Sequence, residues 1–317
     1  MKTTTSTKVA LAVDLGGTNL RAAIVHREGA LHHRKSVRTP RTKKEALDQM
    51  ISLLSELKDE AGRNVWHVLG VGVSTGGRVD LEKGEIVDST ALLPEWQHVP
   101  LRDILQSTLQ LPVCVDNDGN CAALAEQMFG KGRAISNFIA LVLGTGIGGG
   151  VVVENKILRG ARNAAAELGH ISIHYDGPQC SCGNRGCIEL YASGSGLARL
   201  AKELLKSGTI KLEGMPEDQI TPQALADAAQ KGNAVARQLV EQAGALLGVA
   251  VAGLLNTFNP ERVILSGSLT NIGELYLKPF RETVRARAMT LAWGSVEIVV
   301  SDLPDPGLLG AAILAFG

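Results

Sequence analysis

Aromatic residues are scarce in this 317-residue chain, at 3% of the total. That scarcity argues against a stacking platform for single-stranded nucleic acid. Charge imbalance is missing too, because 32 Lys and Arg offset 32 Asp and Glu. Bulk electrostatics therefore predict no nucleic-acid partner and no membrane partner. No G-x-x-x-x-G-K-[ST] string occurs, so nothing supports a P-loop enzyme. Long uninterrupted apolar runs are absent except around Ala243 to Leu255. That segment is rich in Gly and Ala and reads as a buried helix, not a membrane span. The N-terminal apolar run Val9 to Val13 stops at Asp14, too short for a secretory signal. A cytoplasmic enzyme is the expectation. Five cysteines, an odd count in a large chain, argue against a disulfide framework.

What is present is an ordinary globular balance, 45% hydrophobic and 20% charged. The length suggests two domains and allows a large core. Val9 to Asp14 reads as a strand, Leu15 to Asn19 as a glycine turn, and Leu20 to His26 as a second strand. Lys44 to Ala61 has helical apolar spacing at Leu47, Ile51, Leu54 and Leu57. Val68 to Ser74 and Pro112 to Asp116 read as strands, and Asn120 to Phe129 as a helix. A second strand–turn–strand unit follows, with Phe138 to Leu143, a turn at Gly144 to Gly150, and Val151 to Val153. Two such hairpins about 130 residues apart suggest a duplicated architecture, each presenting backbone N–H groups to phosphate. The later part is mostly helical, over Ser195 to Ser207, Pro222 to Lys231 and Ala234 to Phe258. Strands at Arg262 to Leu265 and Val296 to Val300 precede a last helix near Leu308 to Phe316.

Four motifs carry chemistry. In the first, Asp14-Leu15-Gly16-Gly17-Thr18-Asn19, a strand-end Asp can hold Mg²⁺ through water, and the glycines admit phosphate oxygens to the backbone. The plain alternative is a hairpin turn with a capping Asp. The second, Gly144-Thr145-Gly146-Ile147-Gly148-Gly149, is followed by a strand and not a helix. That excludes a dinucleotide fingerprint and favours a second phosphate-binding hairpin over a simple turn. The third is Asp116-Asn117-Asp118-Gly119-Asn120, at a strand end where ligands gather. Asp118 could take the proton of a substrate hydroxyl, or Asp118 or Asn120 could simply cap the helix.

The fourth motif is Glu167-Leu168-Gly169-His170 followed by Cys180-Ser181-Cys182-Gly183 to Cys187. One His and three Cys can close a structural zinc tetrahedron, the alternatives being buried thiols or a redox pair. Glu167 and Glu189 flank the cluster. They suit a polyol's hydroxyls, or are ordinary surface acids. Cys114 and Cys121 read as core.

These strings, in this order, resemble the ROK family of sugar kinases from Val9 to the C-terminus. The resemblance implies an α/β actin-like (ribonuclease H-like) ATPase fold with two lobes around a cleft. The first lobe would take residues 1–117 with the C-terminal helix of 302–317, and the second 118–301. It implies ATP and Mg²⁺ as well as structural Zn²⁺, with Asp118 as base toward a sugar 6-hydroxyl. Asn117, Glu167, His170 and Glu189 would hold the sugar, His170 also ligating zinc beside Cys180, Cys182 and Cys187. Asp14, Gly16, Gly17, Thr18 and Asn19 would face Mg²⁺ and phosphates, with Gly144, Thr145 and Gly146 opposite and Gly267 near the adenosine.

Within the family the sequence looks most like the N-acetylmannosamine kinase domain of the bifunctional UDP-N-acetylglucosamine 2-epimerase/N-acetylmannosamine kinase. Ser74-Thr75-Gly76-Gly77-Arg78-Val79 and Asp116 to Glu126 carry that likeness, which adds Gly77, Arg78 and Thr90 to the sugar site. Ala166 departs from the Gly common in glucokinases. No epimerase activity is expected. Glucokinase, a non-catalytic sugar sensor and a repressor with the same body stay as alternatives. The 13 residues before Asp14 are too few for a helix-turn-helix. A homodimer or higher homo-oligomer is expected.

Overall fold

A computed structural model describes residues 7–88, 95–212 and 215–317. In chain order the elements begin with β1 (Lys8–Leu15), β2 (Asn19–His26), β3 (Leu31–Arg38), α1 (Lys43–Arg63) and β4 (His67–Thr75). Next come β5 (Arg78–Asp80), β6 (Glu85–Asp88), α2 (Leu101–Leu109), β7 (Val113–Asn117) and α3 (Asp118–Phe129). β8 (Phe138–Leu143), β9 (Ile147–Val153), β10 (Lys156–Ile157), α4 (Glu189–Ala192), α5 (Gly194–Lys206) and α6 (Pro222–Gln230) follow. The chain finishes with α7 (Ala234–Phe258), β11 (Arg262–Ser266), α8 (Glu274–Arg287), α9 (Thr290–Ser295), β12 (Glu297–Val300) and α10 (Pro306–Phe316).

These elements form two compact units. One takes the chain up to Ala134, Gly150–Ala166 and Asp302–Gly317; the other takes Ile135–Gly149 and Glu167–Ser301. The first unit thus runs past the expected boundary at Asn117, because α3 packs on α10. Residues 150–166 also return to it.

In the first unit the strand order is β3-β2-β1-β4-β7. β1 is antiparallel to β2, while β1, β4 and β7 run parallel. Buried on both faces, β1 reads as a continuous apolar run, as central parallel strands do. Its alternation still sorts the side chains. Val9, Leu11, Val13 and Leu15 join one core with α1 and α2 residues such as Met50, Leu54 and Leu105. Ala10 and Ala12 join the other, with Leu308, Leu309, Ala311 and Ala312 of α10. The second face is lined by small residues because α10 lies backbone-close. A Cβ built at Gly72 would sit 1.7 Å from the Ala311 carbonyl oxygen.

α1 forms because Thr42 caps it, accepting from Glu45 N–H at 3.3 Å, and because Ala46, Met50, Leu53, Leu54, Leu57 and Ala61 share its buried face.

The other five-stranded sheet has the order β10-β9-β8-β11-β12. β11 is parallel to both β8 and β12, and β10 is antiparallel to β9. A hairpin joined to parallel strands therefore occurs in both sheets, as the two glycine turns suggest. α7 packs on α8 through small residues: Cβ atoms at Gly244 and Gly248 would meet the carbonyl oxygens of Tyr276 and Phe280 at 2.1 and 2.6 Å. Among the described residues α7 is the one helix long and apolar enough to cross a membrane, and 61% of its most apolar window is buried.

Candidate functional site

In the first unit, strand register builds a polar row. Asp14 of β1 pairs across β4 Ser74, which pairs with β7 Asp116. Residues in register point to the same face, so all three side chains gather where the parallel strands end, the usual place for a ligand. Ser74 Oγ donates to Asp14 Oδ1 at 2.7 Å. Arg21 Nη1 lies 3.9 Å from Asp14 Oδ2 and 3.4 Å from Asp305 Oδ1, and Arg34 Nε lies 2.7 Å from Asp305 Oδ2. Gly307, in the first turn of α10, has its Cβ position 2.6 Å from the Asp14 carboxyl carbon. A larger residue there would have to displace the Asp14 carboxylate.

Burial pushes the Asp14 carboxyl up to about 6; the Ser74 hydrogen bond opposes the rise, and the Asp118 charge adds to it. Burial and the same acids push the Cys121 thiol up, which makes it an inert core group.

Asn117 is the N-cap of α3. Its Oδ1 accepts from Gly119 N–H at 2.9 Å, while its Nδ2 donates to Gly77 O at 3.1 Å. One side chain thus ties the start of α3 to the Gly77 turn. Gly77 holds φ at 92°, and a Cβ there would meet Asp88 O at 2.4 Å, so that turn requires glycine. Arg78 Nη2 pairs with Asp88 Oδ2 at 3.0 Å. Asp118 opens α3, and its Oδ1 accepts from Gly119 N–H at 2.8 Å. The capping role that the sequence left open for Asp118 or Asn120 falls to Asn117. Thr90 lies outside the described residues. Gly16 N–H donates to Asn19 O at 3.1 Å, closing the first glycine turn, and Thr39 Oγ1 donates to Gly16 O at 2.6 Å.

In the second unit, the turn at Gly144 closes through Gly144 N–H to Gly146 O at 3.0 Å. Gly267 packs on the strand beneath, its Cβ position 2.4 Å from Leu143 O with φ at 94°. Sequence reasoning missed the partner of this turn, Glu189, whose Oε2 accepts from Ile147 N–H at 2.8 Å. Nothing in residue spacing signals a contact across 42 positions. Glu167 is exposed and begins the turn leading to His170.

The cysteine cluster is assembled by tight turns. Cys180 N–H donates to Asn184 O at 2.8 Å, and Gly186 N–H to Pro178 O at 3.0 Å. The ligand atoms of His170, Cys180, Cys182 and Cys187 all lie within 4.8 Å of one another. Cys180 Sγ is 3.6 Å from His170 Nδ1, and Cys182 Sγ is 3.7 Å from Cys187 Sγ. A zinc tetrahedron with Zn–S about 2.3 Å and Zn–N about 2.0 Å has S–S and S–N edges of about 3.8 and about 3.5 Å. The donor set and spacing fit zinc. Burial and the neighbouring thiols push the Cys187 thiol up, so a thiolate at that position would need a cation beside it.

The two units define an α/β protein of the actin-like sugar kinase fold. The ROK family profile matches residues 10–317, and the chain belongs to that family. It is 36% identical over 309 residues to a glucokinase of Thermotoga maritima, covering 95% of each chain. It is 36% identical over 267 residues to a xylose repressor of Caldicellulosiruptor bescii, covering 83% of this chain and 66% of that one. Among solved structures, a ROK family glucokinase from Streptomyces griseus in complex with glucose and AMPPNP has a TM-score of 0.85 at 33% identity, covering 97% of this chain and 99% of that one. A candidate N-acetylmannosamine kinase from Listeria monocytogenes has a TM-score of 0.79 at 25% identity, covering 97% and 98%.

Proposed function

We propose that the protein is an ATP-dependent kinase acting on the 6-hydroxyl of a hexose or N-acylhexosamine. The observation that carries this reading is the register of Asp14 and Asp116 through Ser74 at the ends of β1 and β7, with Asp118 opening the helix that follows β7. In the proposed reaction Asp118 accepts the proton of the sugar 6-hydroxyl as its oxygen bonds to the γ-phosphorus and the bond to ADP breaks. Asp14 would hold Mg²⁺ through water, which would supply charge neutralisation at the phosphates. The turns of Gly16 to Asn19 and Gly144 to Gly146 hold phosphate oxygens through N–H groups other than those of Gly16 and Gly144, which close the turns, with Gly267 beside the adenosine. Gly77, Arg78, Thr90, Asn117, Glu167, His170 and Glu189 hold the sugar. The Asn117 bridge to Gly77 O also fixes the sugar turn relative to Asp118. His170 Nδ1 and the three cysteines would hold zinc, which would leave Nε2 of that ring for a sugar hydroxyl.

The preferred substrate is N-acetylmannosamine, which the Gly77–Arg78 turn and the Asp116 to Glu126 string favour. Glucose is the second reading, favoured by the glucokinase relatives. The two sugars differ at C2 in stereochemistry and bulk, so one pocket does not serve both equally. Competition at equal concentration decides, and a rate ratio favouring glucose overturns the first choice. Replacing Asp118 with Asn tests the enzyme reading. We expect ADP release to fall by at least about 100-fold while sugar binding by calorimetry survives. Absence of sugar-dependent ADP release in the unsubstituted protein, across hexoses and N-acylhexosamines, would make it a non-catalytic sensor.

A further inference from the structure

The second glycine turn does not stand alone: three anchors hold it, all drawn from residues 189–195. Glu189 Oε2 accepts from Ile147 N–H at 2.8 Å. Gly194 N–H donates to Gly144 O at 2.9 Å. Ser195 donates twice to Thr145 O, through Oγ at 2.7 Å and N–H at 3.0 Å. The packing is close at Gly146 and Gly194, while the Cβ position of Gly144 is open. A Cβ at Gly146 would meet Glu189 Oε2 at 2.4 Å, and one at Gly194 would meet Gly144 O at 2.9 Å. A carboxylate is an odd neighbour for a phosphate-binding turn, since like charges repel. Its observed contact occupies the Ile147 N–H, which makes Glu189 a support of the turn.

The anchoring segment starts two residues after Cys187, the last member of the Cys₃His cluster. Leu190 N–H donates to Cys187 O at 3.0 Å, and Ile188 N–H to Ile171 O at 2.9 Å, so cluster and α4 share backbone bonds. α4 then abuts the start of α5: a Cβ at Gly196 would meet Glu189 O at 2.4 Å. Displacement of Cys187 therefore has nowhere to dissipate before it reaches the anchors, because close-packed backbone transmits strain.

The geometry points to a coupling between the zinc cluster and the nucleotide turn, in which Glu189 and Ser195 are positioning residues. This deepens the kinase reading and rests on it. A zinc-loaded cluster holds residues 189–195 in place, and these hold Gly144 to Ile147 in the phosphate-binding shape. Coupling of binding free energies is reciprocal, so nucleotide must in turn stabilise zinc.

The test measures zinc affinity of the protein by equilibrium competition with a chromogenic chelator, with and without saturating AMPPNP and Mg²⁺. Nucleotide is expected to tighten zinc binding by about threefold or more. Equal affinities overturn the coupling. Calorimetry with AMPPNP separates the two readings: bound nucleotide with unchanged zinc affinity sinks the coupling alone, whereas no nucleotide binding sinks it together with the kinase reading. Ser195→Ala and Gly194→Ala disturb the anchors without touching zinc or the proposed sugar ligands. Each is expected to weaken AMPPNP about two- to tenfold, to reduce its protection of zinc, and to leave sugar affinity unchanged. Unaltered nucleotide affinity in both variants overturns the positioning role.

Discussion

Arg159 Nη1 lies 2.6 Å from Asp116 Oδ2, joining a loop to the end of β7 across 43 positions. The carboxylate's other oxygen accepts from Asn117 N–H at 2.8 Å and Asn120 Nδ2 at 3.0 Å. Only 2% of the Asp116 side chain is exposed. Removing the Arg leaves a buried charge short of its partner. Arg159→Met is expected to cost about 3–5 kcal/mol in urea denaturation. Asp116→Asn in that background should recover part of the loss. A cost under about 1 kcal/mol for Arg159→Met would mean that solvent already serves the carboxylate.

Asp14 gives the first unit a pH signature. Its carboxyl titrates near 6 when folded, against 3.8 as the ordinary value, chiefly because it is buried. Between those values the native state binds a proton that the unfolded chain does not. This group's contribution is thus intact below pH 4 and is lost as pH rises through 6. At pH 8 the ionised group costs on the order of 3 kcal/mol. Asp14→Asn should therefore stabilise the protein at pH 8 and change little at pH 4, as denaturation at both values would show. Because only the ionised group attracts Mg²⁺, nucleotide affinity in the unsubstituted protein should fall as pH drops below about 6.

α10 tolerates no added methyl where backbone meets backbone. Cβ atoms at Gly72 and Gly310 would lie 1.7 Å from Ala311 O and 1.8 Å from Cys121 O. Either Gly→Ala change is expected to cost about 3 kcal/mol or more. Gly62 in α1 has nothing within 4 Å of its Cβ position. There Gly→Ala should stabilise by about 0.5–1 kcal/mol. Thermal melts of the three variants test both signs.

Elemental analysis of purified protein should find about one zinc per chain, from a single four-ligand site. Chelation should lower the melting temperature and raise protease sensitivity around residues 170–190. Cys182→Ser, which removes the most exposed ligand, should give the same two changes. A metal-free protein with an unchanged melt would remove zinc from the account.

Residue order announced the elements whose patterns are local. β8 and α7 occupy the spans expected, and α1 and α6 differ from theirs by two residues or fewer at each end. The glycine turns and the Cys₃His set were legible for the same reason, since each is written in one short stretch. β3 was not, because Leu31–Arg38 carries two His, two Arg and a Lys on an edge strand with little burial. α8 was hidden as well, with Pro279 inside it and a strongly charged face. The contacts of Arg159 with Asp116 and of Glu189 with Ile147 depend on register and packing between distant segments. No local periodicity encodes them.

The helix that fills one face of the β1–β4–β7 sheet lies far beyond β1 in the sequence. Synthesis makes β1 well before α10, so the alanine face of that strand lacks its main cover until residues 306–316 have left the ribosome. Nascent β1, β2 and β4 must wait with an apolar surface in the open, where chaperones or sister chains can reach it. Yield in a cell should depend on how long that interval lasts.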